Sequence, residues 1–437
     1  MKEHDYEVRL LDKPAEGVPD VISTRQDFDT LVHLYAAATG PLAADAERAS
    51  GFRYGHRDYL IQFKRTGAPI ALLDPIALGE QRVDWNAFNE AIGDATWIIH
   101  DSTQDIPGFK DIGLKISALF DTEYAARLLG MKRFGLSAVT EQCLGLTLAK
   151  EHSAADWSYR PLDRDLRNYA ALDVEVLIEL MDVLEGKLKK TGKWQWACQD
   201  FEYLLARGLA DRHPSPQPWR KVSHITKLAH DIRGLSIVRE LWIQRERLAQ
   251  DLDIAPTLLL SDRAIIEAAT RKPKNNKEFE KIRLLNERVR IKTDDEREKM
   301  FERYAAVQRQ VKPKVWRETI KRALSMPYQV AAQLVQPIDT DNDGEEAISA
   351  PRSMKYWREH QPARYERLIR ARDFIGKVSQ DTHTPVEILL KPAYLRRLCW
   401  QDEFDFTEEN ISRFLAAHGA REWQINLLAP SLSKVII

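Results

Sequence analysis

Up to about residue 200 the chain alternates short apolar, partly β-branched runs with segments of helical period, and beyond residue 233 only the helical period remains. The runs "DVIST", "GPLAADAE", "DYLIQFKR", "PIALLDP" and "TWIIH" read as strands, the middle three joined by short Gly, Pro or charged turns. Thr24 followed by Asp27 forms a capping pattern that opens the helix "RQDFDTLVHLYAAAT". Residues 111–190 read as mostly helical, interrupted at "HSAADWSYRPLDR". A sheet of five or six mixed strands flanked by helices is the α/β arrangement that such alternation predicts for residues 1–210.

The stretch "DRHPSPQPWRKVSH" carries three prolines, lacks an apolar period and predicts a linker over 211–233. A compact helical domain is expected over 234–335. The acidic break "QPIDTDNDGEEAISAPRS" forms a second linker over 336–353, and a further helical domain follows over 354–437. The two helical units resemble each other: "AQDLDIAP" is matched by "SQDTHTP", and "LLLSDRAII" by "ILLKPAYL". Two diverged copies of one small fold are therefore predicted.

A net charge of −1 conceals a division. Residues 1–210 hold 24 basic against 33 acidic side chains, and the remainder 41 against 33. The excess concentrates in 271–325, with 18 basic against 9 acidic residues. An acidic front half and a basic rear half suit a phosphodiester substrate gripped by the rear, although solvated helix faces account for the charge equally well. Cys143, Cys198 and Cys399 are widely spaced and odd in number, which supports neither a disulfide framework nor a zinc cluster. No signal-like segment and no apolar run of about 18 residues occurs, so a cytoplasmic protein without membrane contact is expected.

Asp45 and Glu47 stand two positions apart in a strand-like run, hence on one face, where two carboxylates repel unless a cation joins them. Mg²⁺ and Mn²⁺ take oxygen ligands, and a two-ion site needs several carboxylates. Asp105 follows the strand "TWIIH", and Tyr169 and Asp173 lie i, i+4 on a helix, neighbours on one face.

The order of these pieces, D-x-E on the first core strand, H-x-x-x-x-D after a later strand and Y-x-x-x-D on a following helix preceded by "ADWSYRPLD", resembles the ribonuclease D family of DEDD exonucleases. The helix "LFDTEYAARLLG" is similar to one the family carries between its second and third motifs, and residues 234–305 resemble its HRDC domain. The resemblance implies an RNase H-like exonuclease domain followed by two all-α HRDC-type domains. It also implies a metal-dependent 3′-5′ exoribonuclease acting on tRNA precursors or other small RNAs with single-stranded 3′ tails. On the same ground Asp45, Glu47 and Asp173 would bind the ion that activates the attacking water. Asp45 would bridge to a second ion that Asp105 helps to hold, and Tyr169 would orient the water. A DNA exonuclease is the alternative, and a catalytically inactive RNA-binding adaptor a third reading that the complete set of acids disfavours. A monomer is expected.

The motif "DAER" departs from the family pattern at Arg48, which either faces solvent or contacts a phosphate. Asp101 is expected to cap the turn after the strand, and His100 to be structural. Phe52, Arg53, Tyr54 and Arg57 in "GFRYGHRDY" either meet a nucleic-acid strand or pack on the sheet. The stretch "RKPKNNKEFEKIRLLNERVRIK" predicts an amphipathic helix with a basic face. The tryptophans Trp194, Trp196 and Trp219 suit core and interdomain packing.

Overall fold

Eight strands occur among the described residues of the computed structural model, which are 8–149, 155–211, 214–286, 304–338, 350–351 and 353–436. They are β1 (Arg9–Leu11), β2 (Val21–Ile22), β3 (Thr39–Arg48), β4 (Asp58–Thr66), β5 (Ala71–Leu73), β6 (Thr96–Ile99), β7 (Ala118–Asp121) and β8 (Leu146–Leu148). Six form a mixed sheet in the order β2-β5-β4-β3-β6-β7, while β1 and β8 pair as a separate parallel ribbon. Within the sheet β3 runs antiparallel to β4 and parallel to β6. This central position makes β3 a buried strand, and Leu42, Ala43 and Ala44 are fully enclosed.

Helices complete the α/β layer. The helix Arg25–Ala37 starts at Thr24, whose hydroxyl accepts from the Asp27 N–H, as the sequence pattern predicts. Two consecutive helices, Arg164–Glu175 and Leu177–Lys190, pack against β3. The helical reading of 111–190 fails at β7 and at β8, the latter paired with β1. "ALFD" is too short to show alternation, and it becomes a strand because β6 offers it a parallel edge from Thr96 to Ile99.

The two helical units share one layout. A long helix (Ile232–Asp251; Pro362–Thr382) leads through a left-handed residue to a single helical turn and then to a third helix. The single turns are Pro256–Leu259 and Val386–Leu389, and the third helices Asp262–Arg271 and Pro392–Trp400. The left-handed residues are Asp253, with φ 46°, and His383, with φ 51°. Each presents this turn to the α/β domain. Asp253 pairs with Arg53 and Arg57, and the His383 carbonyl accepts from Lys193 Nζ at 3.2 Å. At Gly130, φ is 79° and a Cβ would come within 2.4 Å of the His383 carbonyl oxygen, so only glycine fits there.

Cores divide differently from the chain order. The C-terminal helices share one apolar core with the α/β domain, sealed by Trp196 stacked on Trp423 at 4.5 Å and by an Asp200–Arg421 ion pair. The middle unit has its own core, and Phe52 from the α/β domain is part of it. The proline-rich stretch 211–233 folds onto that second core through Trp219, Val222 and Leu228, in two 3₁₀ turns.

The amphipathic helix predicted from residue 271 is broken where described: Asn276–Glu280 is helical and Arg283–Asn286 a 3₁₀ turn, with Phe279, Ile282 and Leu285 buried. Residues 287–292 of that stretch, including Val289, lie outside the described residues, as do 339–349 and 352 of the acidic break. No helix among the described residues is long and apolar enough to cross a membrane.

Candidate active site

β3 carries Asp45 and Glu47 opposite Gln62 and Leu60 of β4, so both carboxylates leave the same face of the sheet. The helix Arg164–Glu175, capped by the Asp163 side chain on the Leu166 N–H, lies across β3 and β4 and presents Tyr169 and Asp173 one turn apart. Three carboxylates thereby converge. One oxygen from each of Asp45, Glu47 and Asp173 lies within 4.8 Å of the others. The Tyr169 hydroxyl hydrogen-bonds the Asp173 carboxylate.

The segment before this helix sets its position. Trp157 is fully buried with its ring 6.1 Å from that of Tyr169. Arg160 donates to the Trp157 and Tyr59 carbonyls and pairs with Asp74 at 2.5 Å. Asp156 accepts from Tyr304 of the middle helical unit at 2.8 Å. "DWSYRPL" is thus a brace between the sheet, the Tyr169 helix and the neighbouring domain.

Asp105 is buried at the N-terminus of the helix Ile106–Asp111 and makes no cap hydrogen bond there. Its carboxylate instead pairs with Arg48. Arg48 does not simply face solvent: its side chain is largely enclosed and lines the cleft. Its Nε lies 3.0 Å from the buried Asp58 carboxylate, and its Nη2 also donates to the Gln104 carbonyl at 2.7 Å. A bulge in the β3–β4 ladder causes this by bringing Arg48 opposite Asp58. Gly108 lets the helix lie flush on Asp58, since a Cβ there would stand 2.0 Å from Asp58 Oδ2.

The electrostatics follow from this crowding. Burial first, then the Asp173 charge, holds the Asp45 carboxyl well above the usual carboxylate range. Burial and the neighbouring acids Asp45, Asp173 and Asp105 do the same to Glu47. Burial and Asp45 raise Asp105, against the pull of Arg48. Burial pushes the Tyr169 phenol up as well, with the acids beside it adding to the shift, so its hydroxyl stays protonated at neutral pH.

A cleft of about 710 Å³ is lined by Asp45, Glu47, Arg48, Asp105, Tyr169 and Asp173. A second of about 800 Å³ meets it at Leu136, Tyr169 and Asp173 and extends past Arg133 to Leu148. The acids therefore lie where two open clefts join. Asp101, with φ 60°, accepts from Thr103 and Gln104 in its own turn, and His100 Nδ1 lies 2.8 Å from the Thr122 hydroxyl. Phe52 packs in neither expected way, because it enters the core of the middle unit, where its carbonyl accepts from the Ala255 N–H at 2.8 Å. Asp58 and Gly108 escaped the sequence reading, since their importance depends on strand register and close helix approach.

Family models agree with this architecture. A 3′-5′ exonuclease model matches residues 19–189, an HRDC domain model 234–293, and a model of the C-terminal domain of 3′ to 5′ exonucleases 350–436. Curated ribonuclease D proteins are similar, from Bartonella henselae (29% identical over 219 residues, 49% of this chain and 52% of that protein) and Psychromonas ingrahamii (26% over 253 residues, 57% and 66%). The chain thus spans about half to two thirds of the length of these curated relatives. A crystal structure of a protein from Bifidobacterium adolescentis is 54% identical, covering 98% of this chain and all of that one with a TM-score of 0.88. The fold of Escherichia coli RNase D is shared at 20% identity and a TM-score of 0.61, over 95% of this chain and 98% of that one. Sheet, carboxylate cleft and appended helical units define a 3′-5′ exonuclease domain joined to an HRDC region. The chain thus carries a 3′-5′ exonuclease domain and an HRDC domain, and over them it is similar to curated ribonuclease D proteins.

Likeness to the DEDD exonucleases implies a divalent metal ion, and the residues fit one. The donor set of Asp45, Glu47 and Asp173 is all oxygen, as hard cations require, and the acids' mutual repulsion favours a bound cation.

Proposed function

We propose that this protein is a metal-dependent 3′-5′ exoribonuclease that shortens RNA from its 3′ end and releases nucleoside 5′-monophosphates. The observation that carries this reading is the convergence of three carboxylates, with a protonated tyrosine beside them, at the junction of two open clefts.

Asp45, Glu47 and Asp173 would hold one Mg²⁺ or Mn²⁺, and Asp45 with Asp105 a second. When bound, such ions supply Lewis-acid activation of water and charge neutralisation at the scissile phosphate and the leaving 3′ oxygen. The chain's own groups do the positioning. Tyr169, anchored on Asp173, directs its hydroxyl at the attacking water, a role that needs no ionisation. Glu47 and Asp173 fix the face of the sheet on which the phosphodiester must lie. The α/β domain would carry the chemistry, while the middle and C-terminal helical domains, fixed to it through Phe52 and Trp423, grip the body of the RNA. Likeness to ribonuclease D favours tRNA precursors and other small structured RNAs with single-stranded 3′ tails, processed in the cytoplasm by a monomer.

Nucleotide release from a 3′-tailed RNA with Mg²⁺ or Mn²⁺, compared between wild type and Asp173→Asn, tests this assignment. Release by the wild type alone is expected. Equal release by both proteins would remove Asp173 from the site, and faster degradation of a matched DNA would transfer the reading to a DNA exonuclease.

A further inference from the structure

Arg48 is the residue of the first motif that the family pattern does not explain, and its surroundings suggest a purpose. Its guanidinium bridges two buried carboxylates: Asp105, at the rim of the cluster, and Asp58, which has no place in the proposed chemistry. Asp105 lines the same cleft as Asp45, yet it is outside the tight group of Asp45, Glu47 and Asp173. A tethered cation therefore sits on the carboxylate that a second ion would need.

Three features show that this placement is built. The bulge between Glu47 and Arg48 brings Arg48 opposite Asp58. Asp58 is held against a helix that only glycine at 108 allows so near. The Asp105 carboxylate makes no helix-cap bond and pairs with the guanidinium.

We propose that Arg48 is a positioning residue that competes with the second divalent ion for Asp105, so that the protein binds its two ions with widely separated affinities. The first ion meets only Asp45, Glu47 and Asp173. The second must displace Arg48 from Asp105, and the freed guanidinium then remains on the wall of the cleft, where it can meet an anionic group of the substrate. This inference rests on the two-ion reading above and adds to it the residue that controls occupancy.

The test is direct binding of Mn²⁺ to the RNA-free protein, by titration calorimetry and by counting bound ions with electron paramagnetic resonance. Wild type should show one tight and one weak site. Arg48→Met should tighten the second site about tenfold or more, the equivalent of one charge-assisted hydrogen bond no longer competed for, and leave the first within about threefold. Arg48→Lys, which keeps the charge, should remain near wild type. Arg48→Met leaves Asp58 buried and unpaired, so Arg48→Met/Asp58→Asn is measured beside it and should show the same tightening in a folded protein. Identical second-site affinities in wild type and both Met variants would overturn the role of Arg48 while leaving the site intact. Absence of a tight Mn²⁺ site in wild type would overturn the metal-site reading itself.

Discussion

Replacing Asp173 with Asn should stabilise the metal-free protein while destroying its activity. In the absence of a cation the site gathers three acids whose oxygens lie within 4.8 Å of one another. Two full charges at that distance repel by about 3.5 kcal/mol at an effective dielectric of about 20. The acids avoid part of this cost by holding protons, as the raised pKa values of Asp45 and Glu47 show. The net relief from removing one charge is then about 2 kcal/mol, a rise in Tm of about 2 to 6 °C. The Asn oxygen can still accept from Tyr169, so the substitution removes charge and little else. Differential scanning fluorimetry in EDTA should place Asp173→Asn above wild type. Saturating Mg²⁺ should reverse the order, because an ion at one hundred times its Kd stabilises the wild type by about 2.7 kcal/mol.

The sign of the pH effect is fixed by the same shifts. An acid whose folded pKa is raised binds its proton more tightly folded than unfolded. Its contribution is therefore favourable below the unfolded value of about 4 and is lost as pH rises toward the elevated folded pKa. In EDTA the Tm of wild type should thus fall more steeply with rising pH than that of Asp173→Asn. A variant that melts at or below the wild-type temperature in EDTA, at every pH, would refute the argument from repulsion.

Other substitutions probe other parts of the structure. Tyr169→Phe should keep the fold and Mn²⁺ binding but lower kcat about 10²-fold or more with little change in KM, as expected for loss of a group that orients water. Gly108→Ala should cost about 1–3 kcal/mol in urea unfolding, because its methyl would overlap the Asp58 carboxylate. Phe52→Ala should destabilise the middle helical domain by about 3–5 kcal/mol, seen as an earlier unfolding transition, since Phe52 fills that domain's core from outside it. RNA affinity should fall steeply with salt, with a log–log slope of about −0.7 per contacted phosphate on single-stranded tails, and only weakly with base sequence.

Local patterns were legible in the sequence. D-x-E on a strand fixes two carboxylates on one face, and Y-x-x-x-D on a helix fixes a hydroxyl beside a third acid; both depend only on the period of one element. The alternation of strands and helices before residue 200, and the helical repeat after it, likewise yield the α/β domain and its helical additions. What was not legible depends on partners far along the chain. Arg48 looked free because its partners, Asp58 and Asp105, are set by a bulge and by the close approach of a helix. Phe52 was read as a surface aromatic or a sheet contact, whereas the pocket it fills is built from residues beyond 218. Proline content made 211–233 look like an open linker, although Trp219 anchors it to the second core. β7 was missed because four residues carry too little pattern to outweigh their helical neighbours.

The proposed role of Asp45, Glu47 and Asp173 is to hold the metal that serves removal of nucleotides from RNA 3′ ends. Its most direct test follows a 5′-labelled RNA with a single-stranded 3′ tail, incubated with Mg²⁺ and wild type, Asp45→Asn or Glu47→Gln. Wild type should generate a ladder that shortens from the 3′ end with release of nucleoside 5′-monophosphates, EDTA should stop it, and both variants should leave the RNA intact. Internal cleavage, release that persists in EDTA, or undiminished release by either variant would contradict this role.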